Sequence, residues 1–348
     1  MGRKLLWASL VLAPITIVAD KVTGAGDVML FVLAAIALIP LAWLIGESTE
    51  HAAEHTGPGI GGFLNASFGN APELIVALVA VGANLPVVVL GSLAGSVISN
   101  LLLVYGVTQI AGPDGARIDR RSLLVQLGLV GTAVVAFALP TALGHTGAPQ
   151  RHEVMVASVA VAILLLVVYL AVVGRNLQRH HEGTRESDEP TEGTWTLQTA
   201  LIALGLATVA TAWVSEILVH TLHAFATAVG LSEFFISVVI VAIVGNAAEH
   251  GGAIVIARRG KMRLASEIAI SSSAQVALLV VPVVTLASLL FTHHLALAFR
   301  WSELIVMAGA ALVATAVVWN GRSSRCEGAL LVVAYTAAVV GFYVTGGR

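Results

Sequence analysis

Gly69-Asn70-Ala71-Pro72-Glu73 recurs 176 residues later as Gly245-Asn246-Ala247-Ala248-Glu249. The same offset, with no gap, matches Ser96 to Ser272, Leu102 to Leu278, Leu103 to Leu279 and Val104 to Val280. Both copies lie in long apolar stretches, and each places one carboxylate near the middle. A carboxylate at membrane depth costs about 2.5–3.5 kcal/mol on insertion scales, so it marks a functional site. Two of them, carried by a duplicated unit, point to a shared intramembrane cation site.

Apolar residues make up 57% of the chain and charged residues 11%, against roughly 25% charged in soluble domains. Apolar runs long enough to cross a hydrocarbon core of ~30 Å recur throughout. The spacing predicts eleven spans, at 5–20, 27–46, 62–83, 87–111, 122–143, 153–174, 196–219, 231–257, 264–290, 300–320 and 328–346. This is an all-α polytopic membrane protein whose partner is the lipid bilayer. A net charge of −2 without a basic or acidic tail gives no sign of a nucleic-acid partner. The single cysteine, Cys326, excludes an internal disulfide framework and a CxxC metal site. Oligomeric state stays open. The N-terminal stretch, Arg3-Lys4 and then apolar to Ala19, reads as a retained first helix rather than a cleaved signal.

Lys and Arg orient the set. With a cytoplasmic N-terminus, fourteen of the eighteen basic residues fall in inside loops, and only Lys21, Arg151, Arg300 and Arg348 fall outside. The positive-inside rule therefore favours N-in and C-out. Trp7, Trp43, Trp195, Trp301 and Trp319 fall near span ends, as interfacial anchors do.

Four segments follow: an N-terminal helix at 1–26 outside the repeat, a first five-helix unit at 27–174, a cytoplasmic linker at 175–195, and a second five-helix unit at 196–348. Five is odd, so the second unit runs through the membrane upside down. Inverted repeats place a site at the midplane between the units, where Glu73 and Glu249 should meet. The linker, with five acids, three arginines and two histidines, reads as a solvated connection.

Inside a span, Gly69 and Pro72 weaken the helix just before Glu73, because Pro lacks a backbone donor and clashes with the preceding turn. The second copy has Ala248 in place of Pro72, so its break rests on Gly245. Freed carbonyls, Asn70, Asn246 and the two glutamates are the hard oxygen donors that Ca²⁺ prefers, six to eight at about 2.3–2.6 Å. Ser96, Ser99 and Asn100 share one face of the following helix, and Ser272 and Gln275 are three apart on its equivalent. These could complete a cation shell or hold protonated carboxyls. Gly91-x-x-x-Gly95 reads as close helix packing. Glu50 and Glu216 are candidate gating or access carboxylates flanking the site from opposite sides, and His250 is a candidate for the proton path. His51-Ala52-Ala53-Glu54-His55 matches a zinc-protease pattern, but it is short and lies at an interface with no evident third ligand.

At these residues the chain resembles the Ca²⁺/H⁺ exchanger (CAX) family of the calcium/cation antiporter superfamily. The resemblance rests on Gly69-Asn70-Ala71-Pro72-Glu73-Leu74-Ile75, on Gly245-Asn246-Ala247-Ala248-Glu249-His250, on Gly61-Gly62-Phe63-Leu64-Asn65-Ala66 and on Ser271-Ser272-Ser273-Ala274-Gln275. It implies export of cytosolic Ca²⁺ against inward proton flow, with no cofactor and no enzymatic step. The family's central glutamates would be Glu73 and Glu249, and its polar helix residues Ser96, Ser99, Asn100, Ser272 and Gln275. Pro72 is reminiscent of the sodium-coupled relatives. A Na⁺-coupled exchanger, a Ca²⁺ channel and an intramembrane metalloprotease are the alternatives. The expected membrane is a prokaryotic plasma membrane, with an organelle's left open.

Overall fold

The structure, a computed structural model, describes residues 2–56, 64, 68–145, 152–181 and 195–346. Apart from one isolated bridge between Arg117 and Arg322, the described residues form helices and connecting turns. In chain order they are α1 (Lys4–Val22), α2 (Asp27–Glu54), α3 (Ala71–Gly82), α4 (Pro86–Ala111), α5 (Arg120–Gly144) and α6 (His152–Gly174). Then come α7 (Leu197–Val229), α8 (Glu233–Gly245), α9 (Ala247–Arg258), α10 (Met262–Ser288), α11 (Trp301–Val318) and α12 (Arg325–Gly346). Among the described residues nine of these are long and apolar enough to span a bilayer, and α8 and α9, meeting at 55°, pass the same test only when taken together. The expected span at 62–83 is described as a helix only over α3, because residues 57–63 and 65–67 lie outside the described set. The same is true of most of the Gly61–Ala66 stretch and of linker residues 182–194.

Two boundaries differ from expectation for physical reasons. α2 continues past residue 46 to Glu54, because His51 bridges Glu47 at 3.6 Å and Glu54 at 3.4 Å along one helix face. α7 continues past 219 to Val229, where Gly230 at φ 68° supplies the left-handed stop. In α7 the polar side chains of Thr221 and Thr227 donate to carbonyls one turn back, so their hydroxyls are satisfied within the helix.

Burial separates the layers. The most apolar stretch of α4 is 89% buried and that of α10 is 72%, whereas α1 is only 17% buried. The two polar helices that follow the motifs thus sit at the centre, and α1 lies on the flank. α2 and α7 pack along each other, with Phe31 stacked on Phe225 at 4.2 Å between ring centres. Gly91 and Gly95 form the expected close contact. A side chain on Gly95 would lie 2.0 Å from the Val238 carbonyl oxygen, so α4 and α8 approach as near as glycine allows.

The 176-residue offset also governs the backbone. α3 at Ala71–Gly82 corresponds end for end to α9 at Ala247–Arg258. The α-helical start of α4, Pro86–Ser99, matches Met262–Gln275 of α10, and each then widens into a π turn, Asn100–Val104 and Val276–Val280. Even the turn between them repeats: Asn84 at φ 57° stands where the other copy has Gly260 at φ 81°. Asn is the ordinary residue most tolerant of that left-handed geometry, after glycine.

Candidate functional site

The two helix breaks place the glutamates. Asn70, at φ −99° and ψ 19°, precedes α3, so Pro72 falls in the first turn, where its missing donor is harmless. Pro72 therefore starts a helix rather than kinking one. Asn246, at φ −89° and ψ 3°, interrupts α8 and α9 in the same conformation. Glu73 and Glu249 consequently each occupy the first turn of a helix, near its positive end.

Glu73 is 6% exposed, and both its carboxylate oxygens are buried without a donor. It lies against Gly245 of the other repeat, where an added Cβ would stand 3.5 Å from Glu73 Cγ. Glu249 is near enough for its charge to act on Glu73. Ser272 Oγ donates to Glu249 Oε2 in a short hydrogen bond.

Around this pair runs a buried network that crosses between repeats. Asn70 Nδ2 donates to Gln275 Oε1 at 2.5 Å. Asn246 Nδ2 donates to Ser96 Oγ at 2.7 Å and to the Ala242 carbonyl at 2.8 Å. Asn100 Nδ2 donates to Asn246 Oδ1 and to Ser272 Oγ, each at 3.0 Å. His250 Nε2 pairs with Asn100 Oδ1 at 3.0 Å, so the histidine is held in the network. Ser273 Oγ, 3.4 Å from the Val97 carbonyl, links two positions that are themselves 176 apart. Asn70, Asn246, Ser96, Asn100, Ser272, Gln275, Glu73, Glu249 and His250 are thus brought together.

Ser99 is buried beside them but turns back to the Ser96 carbonyl at 3.2 Å. Glu50 and Glu216 are exposed and stand outside the network. Glu216 lines a separate cavity of about 500 Å³ with Val79, Gly82, Trp213 and His220. The His51–His55 pair is occupied locally: His51 stacks on Trp195, and His55 Nε2 meets the Trp195 carbonyl at 2.6 Å. Among the described residues no group of three or more His, Cys, Asp or Glu side chains is placed to hold a metal ion.

Sequence reasoning missed two features. Gly245, beyond breaking the helix, is the surface on which the Glu73 side chain rests. Glu303, 2% exposed in the first turn of α11, accepts from the Arg300 backbone at 2.6 Å. Its position in an apolar run was the available signal.

The sequence and fold match known proteins over nearly the whole chain. The family model described as "Sodium/calcium exchanger protein" matches twice, at residues 27–177 and 199–344. The Ca²⁺/H⁺ antiporter ChaA of Bacillus subtilis is 38% identical, with 91% of this chain and 92% of that protein aligned. A Ca²⁺/H⁺ antiporter of Aphanothece halophytica is 35% identical over 91% and 90% of the two chains. The solved structure of native YfkE superposes with a TM-score of 0.84 at 34% identity, covering 97% of this chain and 99% of that one. The sodium–calcium exchanger NCX_Mj shares the fold at 20% identity, with a TM-score of 0.58 over 95% and 99% of the chains. This chain therefore belongs to the sodium/calcium exchanger family of membrane proteins, within its Ca²⁺/H⁺ antiporter branch.

Proposed function

We propose that this chain is a secondary antiporter that exports Ca²⁺ in exchange for protons at a single site built on Glu73 and Glu249. The observation that carries the reading is the pair of carboxylates at two equivalent helix breaks, Glu73 buried with no hydrogen-bond donor and Glu249 half-buried beside it. Ca²⁺ or protons supply what that pair lacks. Two ionised carboxylates with one Ca²⁺ sum to zero charge, as do two protonated carboxyls. The empty, doubly ionised state buries two like charges and crosses poorly, which couples the two flows.

Asn70, Asn246, Ser96, Asn100, Ser272 and Gln275 surround the pair with neutral oxygens. His250 fixes Asn100, and Ser99 supports the same helix face. Residues 27–174 and 196–348 act as inverted units that rock about this site, with 1–26 outside them and the N-terminus cytoplasmic. The repeated helix boundaries and the double family match support that division. Glu50 and Glu216, exposed on α2 and α7, serve as access carboxylates. Transport needs no cofactor and no covalent chemistry.

The test is ⁴⁵Ca²⁺ uptake into proteoliposomes under an imposed pH gradient, with and without a Na⁺ gradient. Uptake driven by protons alone and abolished in Glu249→Gln and Glu73→Gln is the expected result. A requirement for Na⁺ would make the protein a sodium-coupled exchanger, and uptake indifferent to both gradients would make it a channel.

A further inference from the structure

One turn beyond the site, toward the end of the bundle that carries the 112–119 and 319–324 loops, lies a second group of buried polar side chains. Tyr105, Thr108 and Gln109 follow the π turn of α4, and Ser266 faces them from α10. All four side chains are fully buried, at 0% exposure. Thr108 Oγ1, Tyr105 Oη, Gln109 Nε2 and Ser266 Oγ make no hydrogen bond of good geometry within the protein, although Tyr105 Oη is near enough to Gln109 and Ser266 to pair loosely with them. Tyr105 also lies within electrostatic reach of Glu327. Glu327, in the first turn of α12, straddles the boundary. Its Oε1 accepts from Asn320 Nδ2 at 2.8 Å on the surface side, while Oε2 is buried and unpartnered.

Polar atoms this deep are satisfied by bound water when the protein supplies no partner. Five such atoms, on Tyr105, Thr108, Gln109, Ser266 and Glu327, form a polar pocket within the helix packing. It is no by-product of the repeat, since the equivalent positions in the other copy are Val281, Val284, Thr285 and Leu90. Thr285 there donates to its own helix at Val281. Gly106 and Gly328 bring α4 and α12 together over the pocket, an added Cβ on Gly106 lying 2.9 Å from the Gly328 carbonyl oxygen. The loops lock above it: Ser323 Oγ donates to Pro113 O at 2.7 Å, the Arg325 amide donates to Asp114 at 3.0 Å, and Arg263 pairs with Asp119 at 2.7 Å.

We infer that Tyr105, Thr108, Gln109 and Ser266 form a hydrated relay that carries protons, but not Ca²⁺, between Glu327 at the surface and the Asn100–Ser272–Glu249 network. The inference rests on the antiport reading above. Asn100 and Tyr105 are joined by the π turn, and Ser266 and Ser272 stand about 9 Å apart along α10. The hydroxyls of Tyr105, Thr108 and Ser266 with intervening water pass a proton by exchanging donors and acceptors, each ending with the number of hydrogens it began with, while the Gln109 amide only donates and orients the chain. Ca²⁺ requires six to eight oxygens and charge compensation, which four neutral side chains without a carboxylate do not supply. Protons and Ca²⁺ thus reach one site by different routes on this side. Asp114, Arg325 and Glu327 stand at the mouth, with the Arg263–Asp119 pair and the Arg117–Arg322 bridge in the loops above it.

Tyr105→Phe and Ser266→Ala each remove a single hydroxyl and leave the rest of the side chain or backbone in place. In proteoliposomes, each should lower proton-driven ⁴⁵Ca²⁺ uptake by about tenfold, the upper end for one lost hydrogen bond. Ca²⁺/Ca²⁺ exchange at equal pH on both sides, which moves no net protons, should be unchanged and also reports correct folding. Loss of both activities in parallel would make the hydroxyls structural and overturn the relay, and so would full retention of both. A wild type that exchanges Ca²⁺ for Ca²⁺ but takes up none under a pH gradient would refute proton coupling itself, a separate failure.

Discussion

Asn246 and Asn70 occupy equivalent places in the repeat, yet replacing Asn246 with alanine should be the more damaging by about three to one on a bond-for-bond basis. Asn246 makes three side-chain hydrogen bonds: to Ser96 Oγ, to the Ala242 carbonyl and from Asn100 Nδ2. Asn70 makes one, to Gln275, and its Oδ1 is buried without a partner. Side-chain hydrogen bonds between membrane helices average about 0.6 kcal/mol, with a maximum near 1.7. Asn246→Ala should therefore cost about 2 kcal/mol and Asn70→Ala about 0.6. The difference is about tenfold in the unfolding equilibrium. Reversible unfolding by SDS titration from mixed micelles measures both. A double-mutant cycle adds a stricter condition. Asn246→Ala with Ser96→Ala should couple by about 0.6 kcal/mol, whereas Asn246→Ala with Gln275→Ala, which share no bond, should add. Equal costs for the two asparagines, or no coupling to Ser96, would refute the lopsided network.

Glycine contacts separate folding from function. Gly95→Ala places a Cβ 2.0 Å from the Val238 carbonyl oxygen, so it should exceed the roughly 1–3 kcal/mol of ordinary overpacking and abolish monodisperse protein in size-exclusion chromatography. Gly245→Ala meets Glu73 at an ordinary 3.5 Å; it should fold normally and weaken Ca²⁺ binding several-fold in calorimetry. Asn84→Gly, at φ 57°, should change unfolding free energy by less than about 1 kcal/mol, while Gly260→Val at φ 81° should lose more than that. Protons and Ca²⁺ compete for the same two carboxylates, so apparent Ca²⁺ affinity should fall as pH is lowered on the binding side; an affinity independent of pH would remove the competition.

Which parts of the fold were legible follows from what fixes each boundary. Span positions come from apolar runs and were readable. Helix ends beyond those runs were not, because α2 is extended by ion pairs on one face and α7 by hydroxyls bonding to its own backbone. The π turns were invisible to a 3.6-residue pattern, although their duplication at Asn100–Val104 and Val276–Val280 shows that both copies build them. The glutamates stood out by their cost. Tyr105, Thr108, Gln109 and Ser266 carry no charge, so the same apolar runs concealed them.

The places where the two copies disagree explain the shape of the site better than the places where they agree. Perfect symmetry would give each half the same bonds. His250 pairs with Asn100 at 3.0 Å, and the equivalent positions are Leu74 and Val276, an apolar couple that keeps the exchange balanced. Asn70 reaches Gln275, whereas the equivalent partner of Asn246 would be Ser99, whose side chain is too short to reach across and bonds to its own helix. Asn246 engages Ser96 instead, and Ser96, which accepts that bond, makes none to Glu73, whereas Ser272 accepts from Asn100 and donates to Glu249. A few substitutions between copies, each visible in the sequence once the offset is known, thus leave one carboxylate anchored and the other without a donor. The pair is equivalent in sequence position and unequal in chemistry, so Glu73 has the greater need of a cation or a proton of its own.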